Sequence, residues 1–552
     1  MLHINYLPNS PSRFIYITGD SVGKLKEYLN KVPQYMYLPT YRGIPRPAVF
    51  LSSFVDKSGR TIHYCAAGLW KTITDWCGAH GVQYDSNIDS AFIYTVFSMT
   101  YDELETHVEN WKLSVTPRPY QIRAAWLILH YRFSLSELAT RAGKTLILYI
   151  VCRTAMECGL AHKILVIVPS IHLVKQGVAD LEEYGDYFNT ERVWGGEKEI
   201  ATSPNLTIGT FQSLVKKDPS FLQSFDAVVC DEAHKLPCES IKRILGTLSP
   251  TCALRFGFTG SLPAEHSIEW FACGALMGPK IQTITALELI DNGYLATPHI
   301  HQIQIRYASI PQDVLTECGE YICGNTVKDP TTHKPARSEH PSFTAVYKKT
   351  LPVALRQAKS LYNPDEYNKV LVDTCASKSE LLTLEQMLLH RSTGRVAYLC
   401  SLISQLHGNV IVFAHHVEYI KYLAHEIETR CPDKIIKTIT GTTNLKKRVA
   451  VLDSLVNTDN TVIVGSYGVV STGLTFKNLR YGIFAQSFKS QIINKQSLGR
   501  LMLRDTDKTD FDVYDLVDIF PTGRIRTHGR ARVSLFRSEG HDIDTKTIEI
   551  QY

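Results

Sequence analysis

Hydrophobic positions along the chain fall into two series of short apolar runs, each run followed by a stretch of helical periodicity. The first series extends from about Val115 to Thr297, with strands expected at His162–Val168, Leu206–Gly209, Phe225–Cys230 and Arg255–Thr259. The second extends from about Asn409 to Phe520, with strands expected at Asn409–Phe413, Thr461–Gly465, Tyr481–Ala485 and Asp512–Leu516. Apolar strands alternating with helices are the pattern of a parallel sheet covered on its faces. An acidic helix is expected at Tyr101–Trp111. Between the series, at about 308–365, periodicity weakens in a Pro-, Lys- and Thr-containing stretch that reads as an insertion. The fold class expected is α/β: two tandem parallel-sheet domains at 114–297 and 298–552, preceded by a small α+β accessory domain at 1–113. Two such halves in tandem imply a cleft between them, where ligands of these folds bind.

Composition narrows the class without deciding it. The 552 residues are 44% hydrophobic and 20% charged, which excludes a disordered chain and suits about three domains at roughly 100–200 residues each. Lys plus Arg is 59 and Asp plus Glu 54, a net charge of +5 that permits a polyanionic partner. The excess is local. Residues 1–71 carry nine Lys/Arg against three acids, and residues 72–110 carry seven acids with no Lys or Arg. No apolar run approaches the ~20 residues of a membrane span, and the first residues lack the layout of a secretory signal. Thirteen cysteines without a C-x-x-C pair suit reduced thiols. A cytoplasmic protein with no membrane partner is expected.

The chemistry sits at the strand ends. Thr140-Arg141-Ala142-Gly143-Lys144-Thr145 opens an apolar helix, and Gly-Lys-Thr at a helix start is the core of a phosphate-binding loop. Backbone N–H groups from Thr140, Ala142 and Gly143 onward would cradle phosphates, Lys144 would reach the β and γ oxygens, and Thr145 would ligate Mg²⁺. Two positions depart from the usual pattern: Leu138 replaces the first Gly, and Arg141 stands where Gly is common. The strand Phe225–Cys230 then leads into Asp231-Glu232-Ala233-His234, 87 residues after Lys144. Paired carboxylates after a buried strand suit metal-assisted phosphoryl transfer, Asp231 holding Mg²⁺ and Glu232 orienting and deprotonating water.

Other segments complete an ordered set. Gln121, 23 residues before Lys144, carries a carboxamide that could pair with the N6/N7 edge of adenine. Pro169 with Ser170, and Thr210 with Gln212, sit on strand-to-helix turns that offer polar groups to a phosphate backbone. Thr259-Gly260-Ser261 closes the first half as a small-residue strand end. In the second half, Ser466 to Gly473 follows a strand, and Gln496-Ser497-Leu498-Gly499-Arg500 precedes Arg504.

In this order the motifs resemble the superfamily 2 helicases, whose two RecA-like domains sandwich ATP. RPYQIRAA, LATRAGKTLI, GTFQSLVKK, FGFTGSL, SYGVVSTGLTFKNL, KSQIINKQSLGR and VYDLVD are similar to the phage UvsW-like branch-migration helicases. That family also carries Leu-x-Thr-x-Ala-Gly in its loop, as Leu138 to Gly143 do here. The resemblance implies a hydrolytic core of Lys144, Thr145, Asp231 and Glu232, and adenine on Gln121. Gly473 and Gln496 would lie on the nucleotide, with Arg500 as arginine finger. His234, Thr259 and Ser261 would couple hydrolysis to movement. Pro169, Thr210, Gln212, Tyr467 and Thr472 would meet the nucleic acid. Arg504 would be a second finger, displaced by one position because Leu503 stands where the family has Arg. Arg42 and Arg46, on a hairpin of the accessory domain, would select branched DNA. ATP and Mg²⁺ are the implied cofactors. Single-stranded and branched DNA, RNA–DNA hybrid, and recombination or single-strand-binding proteins are the implied partners.

Rival patterns are weaker. Gly19-Asp20-Ser21-Val22-Gly23 matches a serine-hydrolase elbow, but only 18 residues precede it, too few to build the required central sheet. Cys318, Cys323, His333 and His340 fall outside usual zinc spacings. A translocase of restriction or transcript release, or a binder that has lost turnover, would share the motor motifs.

Overall fold

The computed structural model describes residues 1–6, 14–30, 35–36, 46–47, 49–56, 58–88, 93–195, 202–249, 252–311, 314, 325–326, 347–348, 378–441, 443, 448, 450–451, 455, 458–467, 478–486, 490–504, 508–520 and 523–552. It divides into two compact units, Met1–Thr285 and Ala286–Tyr552.

The first unit begins with a five-stranded sheet of β1 (Leu2–Tyr6), β2 (Phe14–Gly19), β3 (Ser52–Val55), β4 (Thr61–Ala66) and β5 (Tyr84–Ser86), in spatial order β3-β4-β2-β1-β5. Period-two alternation is plain in β2, where Ile15 and Ile17 are buried and Phe14 is exposed. Helix α1 (Val22–Asn30) covers the inner face through Val22, Leu25 and Leu29. Ser21, the false elbow, lies between β2 and α1 in a sheet where β2 pairs antiparallel on both sides. Helix α2 (Trp70–Ala79) follows, and α3 (Tyr101–Asn110) is the acidic helix, started by a capping box between Thr100 and Glu103.

The larger sheet of this unit is wholly parallel. Helix α4 (Pro119–Leu129) leads into β6 (Phe133–Leu138), followed by α5 (Lys144–Glu157), β7 (Ile164–Val168), α6 (Ile171–Tyr184), β8 (Thr190–Val193) and β9 (Leu206–Thr210). Then come β10 (Ala227–Asp231), β11 (Leu254–Thr259), α7 (Ile268–Met277) and β12 (Lys280–Ile284). The spatial order is β8-β9-β7-β10-β11-β6-β12. Strand β7, Ile-Leu-Val-Ile-Val, is buried at every position, as a central strand covered on both faces must be. The accessory sheet packs on α7. Phe271 of that helix lies in the core with Ile15, Ile17 and Trp76, and a Cβ on Gly68 would stand 2.3 Å from the Gly274 carbonyl.

The second unit has its own parallel sheet. Its elements are β13 (Thr297–Tyr307), α8 (Lys378–Arg391), α9 (Thr393–Gln405), β14 (Asn409–Ala414), α10 (Val417–Arg430), β15 (Ile435–Ile439) and β16 (Thr461–Ser466). They continue with β17 (Leu479–Phe484), α11 (Gln491–Leu501), β18 (Asp510–Asp518), α12 (Arg524–Ser538) and β19 (Ile543–Ile550). The order is β15-β16-β14-β17-β18-β13-β19. Thr297, the last residue of the first expected series, is the first residue of β13, paired with Asp510 in the second sheet. The stretch 308–365 and the Cys/His set in it lie almost wholly outside the described residues.

Two buried ion pairs hang from β18. Arg395 of α9 donates to Asp518 at 2.7 Å, to Tyr419 Oη at 3.1 Å and to the Ala485 carbonyl at 2.5 Å, while Tyr307 Oη donates to the same Asp518 oxygen at 2.6 Å. Arg532 of α12 donates to Asp515 at 2.7 Å, and Gln302 of β13 donates to its other oxygen at 3.0 Å. Removing one member strands a buried charge. Arg395→Ala should therefore lower the stability of the second unit by about 3–5 kcal/mol, read as an earlier denaturation midpoint of the full chain. An unchanged midpoint would show the pair to be dispensable.

Candidate active site

The loop after β6 is held in a shape that few residues adopt. Ala142 N–H donates back to the Ala139 carbonyl at 3.0 Å, and both Arg141 (φ 76°) and Gly143 (φ 74°) are left-handed. Position 141 is thus one that glycine occupies freely, and a non-glycine there stores roughly 1–3 kcal/mol of strain. Helix α5 starts at Lys144 directly after this turn, so its first N–H groups and dipole face the loop. Gln121 of α4 braces the loop from beneath. Its Oε1 accepts from Arg118 N–H at 2.8 Å, and its Nε2 donates to the Ala142 carbonyl at 3.0 Å. Both ends of the carboxamide expected on adenine are used within the chain here, so pairing with a base would require these bonds to exchange.

Parallel register brings the other motifs level with the loop. Asp231 of β10 lies opposite Phe258 of β11, and Thr259 lies opposite Glu137 of β6, so three strands end together. Glu232 turns left-handed (φ 54°) as the chain leaves β10, and its N–H donates to Asp231 Oδ1 at 2.9 Å. Its carboxylate lies 3.8 Å from Lys144 Nζ on one oxygen and 3.2 Å from His234 Nδ1 on the other. His234 Nδ1 is also 3.0 Å from Thr259 Oγ1, which in turn donates to the Ser261 carbonyl at 3.0 Å. Thr140 Oγ1 and Lys144 Nζ border Gly260, each about the same distance from where a Cβ would stand (3.4 and 3.5 Å). Lys144, Glu232, His234, Thr259 and Ser261 therefore form one connected set.

Burial, and then the Glu232 charge beside it, push the Asp231 carboxyl up to about 6. Two adjacent carboxylates, both partly buried, with a single lysine near them are a donor set short of positive charge. A divalent cation with a triphosphate on the α5 N-terminus fits that set, Thr145 and Asp231 being the residues that would hold it. A cavity of about 60 Å³ opens between α5 and α6, reaching Lys144, Thr145 and Asp231 from the side of Gln176 and Asp180. Asp180 borders this cavity together with Thr145, and burial raises its carboxyl above the ordinary carboxylate value. Asp180 was not among the residues expected. Its only sequence signal is the i, i+4 spacing from Gln176 on α6.

The remaining expected residues are placed unevenly. Gln212 Nε2 reaches the Pro169 carbonyl at 3.4 Å, and Thr210 Oγ1 donates to Ser213 at 3.1 Å, so these two turns adjoin at the ends of β7 and β9. Tyr467 corrects the expectation of a nucleic-acid contact. It is 1% exposed, stacks on Phe413, and donates to the Gln486 carbonyl at 2.7 Å, a core residue because β16 ends beneath the surface. Arg504 is exposed. It donates to the Gly293 carbonyl at 2.6 Å beside the Leu295–Leu503 bridge. Gln496 and Arg500 share a face of α11, Gln496 buried and Arg500 half-buried. Gly473, Thr472 and Arg42 lie outside the described residues. Arg46 is in a two-residue strand paired with Met36, as a hairpin requires.

Comparison with known proteins finds a matching family in each unit. Residues 114–263 match the family of the type III restriction enzyme res subunit, and residues 394–502 match the helicase conserved C-terminal domain. The chain is 27% identical over 410 residues to the ATP-dependent DNA helicase uvsW of Enterobacteria phage T4, covering 73% of this chain and 69% of that one. This protein is a superfamily 2 helicase. Among solved structures, T4 UvsW covers 99% of both chains at 20% identity and a TM-score of 0.43. The DNA-bound type ISP restriction-modification enzyme LlaBIII covers 80% of this chain and 32% of its own, at 14% identity and a TM-score of 0.50. The helicase hydrolyses ATP with the two domains so matched. Among its described residues no helix is long and apolar enough to cross a membrane, and no cluster of three metal-ligating side chains occurs.

Two outcomes test this geometry. Asp231→Asn should abolish hydrolysis yet raise the melting temperature of the nucleotide-free helicase at neutral pH. The folded-state pKa lies above the ordinary 3.8, so ionising Asp231 opposes folding. That cost is absent below about pH 4, grows through about pH 6 and is constant above, so the melting gap should widen over that span. A gap independent of pH would contradict it. Gly143→Ala should also inactivate, since a Cβ there would stand 2.2 Å from Gln121 Nε2, and Gln121→Ala in the same chain should restore little because the left-handed φ remains strained.

Proposed function

We propose that the helicase is a DNA-stimulated motor that unwinds or branch-migrates D-loops, R-loops and four-way junctions in recombination, replication and repair. The observation that carries the reading is the connected set from Lys144 through Glu232 and His234 to Thr259 and Ser261. It offers both a hydrolytic centre and a route out of it. Lys144 and the α5 N-terminus grip the β and γ phosphates. Thr145 and Asp231 would hold magnesium, which would supply charge neutralisation for those oxygens. Glu232 orients a water and takes its proton. On hydrolysis the Glu232 partner His234 is released or tightened, and its bond to Thr259 carries the change to Ser261.

Arg500 of α11 serves as the arginine finger on the transferring phosphoryl group, and Arg504 has a structural part. Pro169, Thr210 and Gln212 hold phosphates of one DNA strand by sequence-independent contacts. The accessory domain, with Arg42 and Arg46, selects branched over linear DNA. Support for branched DNA comes from the phage helicase to which the chain is similar and from the basic excess of residues 1–71.

ATP hydrolysis measured with no DNA, single strands, duplex and four-way junctions tests the reading. Strong stimulation, greatest with junctions and lost in Lys144→Ala, is expected. Arg500→Ala should lower turnover by a factor on the order of 10³–10⁵, while Arg504→Ala should lower stability more than turnover. Stimulation should fall steeply with salt. Equal rates with and without every DNA form would sink the proposal.

A further inference from the structure

One carboxylate that the motor motifs do not use stands in a strand with neighbours on both sides. Glu137 belongs to β6, which lies between β11 and β12, and it pairs in register with Thr259 on one side and Thr283 on the other. Its side chain is mostly buried, at 17% exposure. A charge so placed needs partners, and two are in place. Glu137 Oε1 accepts from the Leu262 N–H at 3.2 Å. Glu137 Oε2 lies 3.7 Å from Lys280 Nζ, which also meets Glu265 at 3.4 Å.

Leu262 ends the turn that carries Thr259 and Ser261. Inside the turn, Thr259 Oγ1 donates to the Ser261 carbonyl at 3.0 Å and accepts from the Ser261 N–H at 3.3 Å. Pro263, next along the chain, has no N–H to give. The Leu262 N–H therefore fastens the far end of the turn to β6, the strand that runs into the phosphate loop. At the near end, Thr259 Oγ1 lies 3.0 Å from His234 Nδ1, which is the neighbour of Glu232. Between the two ends, a Cβ on Gly260 would stand 3.4 Å from Thr140 Oγ1 and 3.7 Å from the Leu138 carbonyl. Resting on the proposed reading of His234, Thr259 and Ser261 as the route out of the hydrolytic centre, we infer that Glu137 is a positioning residue for coupling. It clamps the turn to β6, so that a movement of His234 carries Thr259 to Ser261 as one piece. Without the clamp the turn yields locally and absorbs the movement. Glu137 acts through the Leu262 N–H.

Strand separation of a forked duplex by the full chain, divided by the ATP hydrolysed in the same reaction, tests this. Glu137→Ala should lower that ratio by roughly 3–30-fold while hydrolysis without DNA stays within about twofold of wild type. Glu137→Met, close in length and without an oxygen acceptor, repeats the test should the alanine variant fold poorly. Glu137→Gln keeps an oxygen for the Leu262 N–H and should restore most of the ratio, although it gives up the ion pair with Lys280. Lys280→Met should leave the ratio near wild type for the same reason. A wild-type ratio in Glu137→Met, a loss in Glu137→Gln equal to that in Glu137→Met, or hydrolysis without DNA falling as far as strand separation would each overturn the role of Glu137. Failure of the underlying coupling reading looks different: Thr259→Ala would then keep the wild-type ratio.

Discussion

A carboxylate at the end of a buried strand is the constraint from which the first unit is built. Apolar neighbours on both faces of β10 make ionised Asp231 costly, and Glu232 next to it adds a second charge of the same sign. The surrounding chain answers with Lys144 and the N-terminus of α5 after β6, and with His234 after β10. The compensation is incomplete in the absence of ligand. That deficit suits the nucleotide and magnesium proposed for the site, whose binding would complete an electrostatic balance that folding leaves open.

Backbone strain gathers at the same place. Arg141 and Glu232, both left-handed and neither glycine, flank the reactive centre on two different loops. Such conformations persist where packing over-determines them. Gln121 supplies part of that packing by holding the Ala142 carbonyl, and the Glu232 N–H bond to Asp231 supplies another part. The second unit uses buried charge differently. Its Arg395–Asp518 and Arg532–Asp515 pairs are matched one to one, and tyrosine, glutamine and carbonyl groups bond to them as well. Matched pairs of this kind specify how α9 and α12 sit on β18, and leave no charge to be answered by a ligand.

Much of this was legible before any coordinates. The eight strands expected from apolar runs correspond to β7, β9, β10, β11, β14, β16, β17 and β18, with ends displaced by a few residues at most. Lys144, Asp231 and Glu232 are named by local motif and order, Thr259 by the resemblance, and all four lie at one end of the sheet. Less visible were β6 and β13. Phe133–Leu138 mixes serine and glutamate into its apolar positions, and Thr297–Tyr307 alternates like a half-exposed strand although it is flanked by two others.

Sequence by itself determined what depends on local chemistry and on period: the two parallel sheets, the phosphate loop, and the carboxylate pair after a buried strand. These follow from side-chain type at fixed spacing, because burial on both faces selects apolar runs and phosphate chemistry needs a helix start. Only the tertiary structure decided which distant groups share a hydrogen bond. Tyr467 went to the core, Arg504 to the Gly293 carbonyl, and Gln121 to the Ala142 carbonyl. Each outcome depends on packing between elements far apart in the chain, and a one-residue displacement or one helical turn is enough to change the partner.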